Sequence, residues 1–141
     1  MKHLPNFTEI KENLEFLDDW EDRYRYLIEL GQMLEPLSEA DHNEDNKVHG
    51  CASQVWLIVD EIKAQNNLIL NFRGNSDALI VKGLVAVITS LYSGLTPSEI
   101  LKIDALKILD ELNLHEHLSS QRSNGLKAMV QRIQNYASSR V

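Results

Sequence analysis

The chain has 141 residues, with 14 Lys and Arg against 21 Asp and Glu and a formal net charge of −7. That length predicts one domain over residues 1–141, large enough to bury a core without disulfide or metal staples. Its 43% hydrophobic and 25% charged residues argue against wholesale disorder, and its acidity argues against nucleic acid, whose binding draws on Lys and Arg meeting phosphates.

Phe7, Ile10, Leu14 and Leu17 recur at helical spacing behind Thr8, a residue suited to the N-cap. A second helix follows Asp18-Asp19, with Glu21 and Asp22 complementing the positive end of its dipole. Trp20, Tyr24, Leu27, Ile28 and Met33 would form its apolar face, and Pro36 its end. Residues 38–47 are polar and read as a loop. The period then changes. Gln54-Val55-Trp56-Leu57-Ile58-Val59 and Leu68-Ile69-Leu70-Asn71-Phe72 are rich in β-branched and aromatic residues, which predicts an antiparallel hairpin with Leu68, Leu70 and Phe72 on one face. Gly74-Asn75-Ser76-Asp77 reads as a turn and helix cap, leading into Ile80, Leu84, Val87, Ile88 and Leu91 of a central core helix closed by Gly94. Thr96-Pro97-Ser98-Glu99 is a capping box with proline at the first helical position. Asp104 caps a short helix carrying Leu106, Leu109 and Leu112, and a last helix carries Leu126, Met129, Val130, Ile133 and Ala137. Helices, a small antiparallel sheet, then helices again make an α+β fold.

Charge is uneven along this order. Residues 9–45 hold 13 acids and 3 bases, whereas no acid follows Glu116 and Arg122, Lys127, Arg132 and Arg140 are all basic. Solvated helix faces or two docking surfaces of opposite sign both fit this pattern. Glu9, Lys11, Glu12 and Glu15 put charge early in the sequence, so no signal-peptide core is expected there. The most apolar stretch, residues 78–91, is interrupted by Lys82 and too short to span a bilayer. A cytoplasmic protein that does not engage membranes is expected.

Few residues offer chemistry. Asp41-His42-Asn43-Glu44-Asp45-Asn46 has oxygen ligands at alternate positions, but Asn46 and Ala52 stand where a calcium loop needs glycine and glutamate. His115-Glu116-His117 would splay its two rings on a helix, so no metal site is expected. The single cysteine, Cys51, rules out an intramolecular disulfide, a CxxC pair or a Cys-rich cluster from this chain alone. It follows Val48-His49-Gly50 at the entry to the first strand. Gly50 permits an unusual backbone angle and the approach of another molecule, and His49 is placed to assist thiolate formation. On local physics alone, a small buried hydrophobe and a reactive thiol both fit Cys51, the former matching a non-catalytic interaction module that docks a partner through its acidic N-terminal half. A cysteine hydrolase would need a base-orienting group and an oxyanion hole, and no motif supplies them.

Val48-His49-Gly50-Cys51-Ala52-Ser53-Gln54-Val55-Trp56 resembles the signature loop and strand of the SufE family of sulfur-acceptor proteins, which includes the CsdE branch. Three further blocks resemble that family in the same order: Trp20-Glu21-Asp22-Arg23-Tyr24 with Leu27-Ile28-Glu29-Leu30-Gly31, then Gly74-Asn75-Ser76-Asp77 with Ile80-Val81-Lys82-Gly83-Leu84, then Leu118-Ser119 with Arg122-Ser123-Asn124-Gly125-Leu126. Together they cover roughly residues 7–137.

The resemblance implies helices packed around a small antiparallel sheet, similar to IscU-type scaffolds. It implies a sulfur-transfer partner rather than a stand-alone enzyme. Cys51 would accept sulfur from the persulfide of a PLP-dependent cysteine desulfurase (SufS/CsdA-like), stimulate that enzyme, and pass sulfur to an iron–sulfur scaffold complex (SufBCD-like). Arg122, Asp77, His49 and Gly50 would form the partner-binding surface. The PLP belongs to the desulfurase, so no cofactor is expected here. Two departures, Ala52 after the cysteine and Ser120-Gln121 before the arginine, bear on loop detail and on the choice of desulfurase. A lone cysteine suits a carrier, since a resolving thiol would attack the new persulfide and release sulfide. Nearby Arg122 or a backbone donor is expected to favour the thiolate.

Overall fold

The computed structural model describes residues 4–51, 53–114 and 118–141. Six helices, α1 (Phe7–Phe16), α2 (Trp20–Gln32), α3 (Leu79–Tyr92), α4 (Pro97–Leu101), α5 (Ala105–Glu111) and α6 (Ser120–Ser138), surround one hairpin, β1 (Val55–Ala64) and β2 (Asn67–Ser76). The hairpin falls between α2 and α3 in the chain and is the whole sheet among the described residues, as expected for an α+β fold.

Asn6, not Thr8, starts α1. Its backbone is extended and its side chain accepts a hydrogen bond from the Glu9 N–H at 2.9 Å, so the helix begins two residues earlier than the Thr8 reading allowed. The second helix follows Asp18-Asp19 as expected, with Asp19 as its N-cap accepting from the Glu21 N–H. That helix stops at Gln32, before Pro36 can act. Its buried face is Arg23, Leu27, Leu30 and Gly31, rotated from the predicted one, and Trp20, Tyr24, Ile28 and Met33 lie half-buried at its margin. The reason is a close crossing with α3: a Cβ on Gly83 would sit 2.2 Å from the Leu27 carbonyl oxygen, and one on Gly31 2.7 Å from Lys82 Cβ. The two backbones therefore meet where side chains are absent. Arg23 is tolerated on this face because its guanidinium donates to the Leu112 carbonyl and lies 5.9 Å from the Trp20 ring centroid.

The first strand starts at Val55, one residue after the predicted Gln54, but runs on to Ala64, and the second extends beyond both predicted ends, pairing Val55 with Ser76 through to Ala64 with Asn67. Gln65 and Asn66 turn it with φ of 49° and 70°, the two positive values of a type I′ turn. Gly74-Asn75-Ser76 continues the strand instead of turning, since bare Gly74 lets β2 lie against α3; a Cβ there would be 2.6 Å from Val85 Cγ1. Consequently Ala78 stands at the N-cap of α3 and offers no side-chain cap, and Asp77 is free for another task. Leu70 and Phe72 point into the core with Leu68 at its edge, as the alternation predicts.

Ten residues of α3 are buried, making it the central element between α2, β2 and α6. Gly94 (φ +85°) turns the chain out of it, and the capping box at Thr96 forms as predicted, with bonds of 2.9 and 3.2 Å between Thr96 and Glu99. Asp104 caps α5, whose Leu109 is buried ahead of a buried Leu112, although Leu106 faces solvent. The α6 stripe of Leu126, Met129, Val130, Ile133 and Ala137 is buried throughout. No described helix is long and apolar enough to cross a membrane.

Candidate functional site

Ahead of β1 the chain makes a short extended run along the strand's outer edge. The Val48 N–H donates to the Val55 carbonyl and the Leu57 N–H to the Asn46 carbonyl, both at 2.8 Å. Between these paired segments, residues 49–51 and 53–54 belong to a loop that carries Cys51. The returning limb is held by Asp77: its Oδ1 accepts from the Gln54 N–H at 3.0 Å, and its own N–H donates to the Gln54 carbonyl at 3.3 Å. Freed from capping α3, Asp77 thus fastens the loop.

The loop lies on α6. Gly50 takes φ +96°, a left-handed conformation that a side chain resists, and its missing Cβ would fall 3.4 Å from Ala128 Cβ. Gly125 lies directly beneath the thiol, where a Cβ would stand 3.3 Å from Cys51 Sγ. The Cys51 thiol donates to the Gly125 carbonyl at 3.6 Å. Beside it is a cavity of about 20 Å³, floored by Val81, Leu84 and Met129 and rimmed by Gln121 and Arg122. That volume holds about one water-sized group. Cys51 itself is half-buried, and burial pushes its thiol above the ordinary value of 9.0. The expectation that Arg122 or a backbone donor favours the thiolate is therefore not met in this closed arrangement. Sγ faces a carbonyl acceptor, which suits the protonated form, and desolvation disfavours the anion.

The structure brings Cys51, Gly50 and Asp77 into one loop assembly and sets Arg122 on the rim of the same cavity. His49 is not part of it. Its ring is exposed and sits 3.4 Å from Glu44 Oε1, so it gives the thiol no help here. The polar segment before the loop is committed to its own folding. Ser38 caps a single 3₁₀ turn, Glu39–Asp41, and the Asn46 side chain donates to the Asp41 carbonyl at 2.9 Å. His42 holds the Ser38 carbonyl at 2.8 Å and the Asn75 amide at 2.9 Å while meeting Trp56 edge-on. Among the described residues no group of three or more His, Cys, Asp or Glu is arranged for a metal ion. His115-Glu116-His117 lies outside the described residues.

Sequence reasoning passed over two contributors on α6. Gly125 entered only within a family block, and Arg132 only as a charge. Arg132 donates to the Lys47 carbonyl at 2.7 Å and to the Asp45 carbonyl, tying the outgoing limb of the loop to the helix. The signal was available: Arg122, Gly125, Met129 and Arg132 recur at i, i+3, i+7 and i+10, one stripe of a helix.

Comparison with known proteins decides the family. The model described as "SufE: Fe-S metabolism associated domain" matches residues 8–137. The chain belongs to the SufE family. An uncharacterized SufE-like protein of Rhizobium meliloti is 48% identical over 138 residues, covering 98% of this chain and 99% of its own length. A second, from Rhizobium etli, is 51% identical over 134 residues, covering 95% and 90%. The solution structure of a hypothetical protein from Thermus thermophilus shares the fold, with a TM-score of 0.73 at 19% identity over 98% of this chain and 97% of that one. Membership ties this SufE-family chain to iron–sulfur metabolism.

Proposed function

We propose that this SufE-family protein is a sulfur acceptor. It takes sulfane sulfur from the persulfide of a PLP-dependent cysteine desulfurase onto Cys51, stimulates that enzyme, and hands the sulfur to an iron–sulfur cluster assembly scaffold. The observation that carries this reading is the lone thiol in a fastened loop, over a cavity with room for about one more small group. A terminal sulfur turned into that space would be shielded by Val81, Leu84 and Met129 from water and small thiols.

The chemistry balances without an external oxidant or reductant. The Cys51 thiolate attacks the outer sulfur of the donor persulfide. A new S–S bond forms on Cys51, the donor's S–S bond breaks, and the donor cysteine leaves as thiolate and takes up the proton that Cys51 gave up. Delivery repeats the exchange with the acceptor as attacking thiol. PLP serves the desulfurase, and Cys51 needs no cofactor of its own.

The resting thiol is poorly suited to attack, because burial and the Gly125 carbonyl favour its protonated form. Docking of the desulfurase is therefore assigned the role of lifting the loop from α6. Once hydrated, the thiol returns toward its ordinary acidity, and Arg122 on the rim is placed to meet the partner. Desulfurase turnover of cysteine, measured with and without this protein, tests the reading. The parent should stimulate, Cys51→Ser should not, and Arg122→Ala should stimulate weakly while keeping the parent's circular dichroism. Full stimulation by Cys51→Ser would replace sulfur acceptance with simple binding.

A further inference from the structure

Asp45 and Asn46 lie in a turn closed by the Lys47 N–H donating to the Glu44 carbonyl at 3.2 Å, and Lys47 then bridges Trp56 as an antiparallel partner. The carbonyl of Asn46 and the N–H of Val48 turn inward to β1, whereas the carbonyls of Asp45 and Lys47 both meet Arg132 on α6. A planar guanidinium is the side chain whose forked donors span two such acceptors, and Arg132 supplies it from α6. Among the described residues no carboxylate pairs with Arg132, so these two backbone oxygens are its polar partners. The run is otherwise held to β1 by two hydrogen bonds, and the Cys51 loop begins one residue after it.

We infer that Arg132 is a positioning residue for Cys51: by latching the outgoing limb of the loop to α6, it sets how often the thiol leaves its cavity. This rests on the sulfur-acceptor reading for its purpose, though not for its test. Asp77 fastens the returning limb through two bonds to the single residue Gln54, while Arg132 grips the outgoing limb at two residues. Opening can therefore begin at either end. The Arg132 end is the one a partner can release by offering a carboxylate, a stronger acceptor for guanidinium than a carbonyl.

Alkylation of Cys51 by iodoacetamide reads the latch directly and needs no desulfurase. Rates are followed against pH for the parent, Arg132→Gln and Arg132→Lys, with amide exchange followed over residues 45–54. Loss of the fork should speed alkylation at neutral pH by roughly tenfold, the equivalent of ~1.4 kcal/mol in the opening equilibrium. The midpoint of the pH profile should fall toward the ordinary thiol value, since an open loop rehydrates the sulfur. Arg132→Lys, which can serve one carbonyl at a time, should lie between the parent and Arg132→Gln. Exchange should quicken at 45–54 and stay unchanged in α3. If Arg132→Gln fails to fold, Arg132→Lys alone decides, by the same shift in pH midpoint and local exchange. Unchanged alkylation and exchange would overturn the latch while leaving sulfur acceptance standing, and so would a uniform rise in exchange across the molecule. A latch that behaves as described in a protein that accepts no sulfur would instead overturn the functional reading.

Discussion

Among the places in this molecule that depend on glycine for close approach, two differ sharply in what lies opposite. At the α2–α3 crossing, Gly83 faces the Leu27 carbonyl, buried in the core, and a Cβ would overlap it at 2.2 Å. At the α6–loop contact, Gly125 faces the Cys51 sulfur, on a surface loop, at 3.3 Å from where a Cβ would be. Backbone buried between two helices cannot give way, whereas a loop held by a few hydrogen bonds can. The first glycine keeps the fold together, and the second sets the fit of a movable part.

This contrast fixes the order of mutational effects. Gly83→Ala should cost about 3 kcal/mol or more, by forcing α2 from α3, and a denaturant melt that finds less than about 1 kcal/mol would refute the crossing. Gly50→Ala should cost about 1–2 kcal/mol, through the left-handed backbone it cannot easily hold, measured by the same melt. Gly125→Ala should leave global stability within about 1 kcal/mol, because alanine is the better helix former and the loop can yield. It should nonetheless raise the Cys51 alkylation rate, by about threefold or ~0.7 kcal/mol in loop opening. An unchanged rate would mean the thiol does not rest on Gly125. The smallest effect is on pH. A thiol pushed up in the folded state stabilises the fold fully below its unfolded value of 9.0, and that contribution is lost as pH rises through the higher folded value. Stability should thus fall with pH in that window for the parent and stay flatter for Cys51→Ser.

The sequence-level reading succeeded where a residue's own chemistry dictates the backbone. The capping box at Thr96, the start of α2 after Asp18-Asp19, the cap at Asp104 and the α6 stripe are all in place. It failed where a distant partner decides. Gly74 looks like a turn residue until α3 lies against it, and Arg23 falls outside the predicted apolar face of α2 until the Leu112 carbonyl is found to accept from it. Cys51 stood out as a candidate because it is the lone thiol at a strand entry, and the family resemblance implied a role for it. Its fastenings were harder to read. Asp77 and Arg132 act on backbone atoms of Gln54, Asp45 and Lys47, and backbone partners leave no mark on the identity of the residues that supply them.

The intact mass of the protein after incubation with a cysteine desulfurase and free cysteine bears most directly on Cys51 as a sulfur acceptor. The account predicts a gain of one sulfur atom on the parent, removed by a reducing thiol and absent from Cys51→Ser. A parent mass that never changes, with a desulfurase shown to carry its own persulfide, would contradict it.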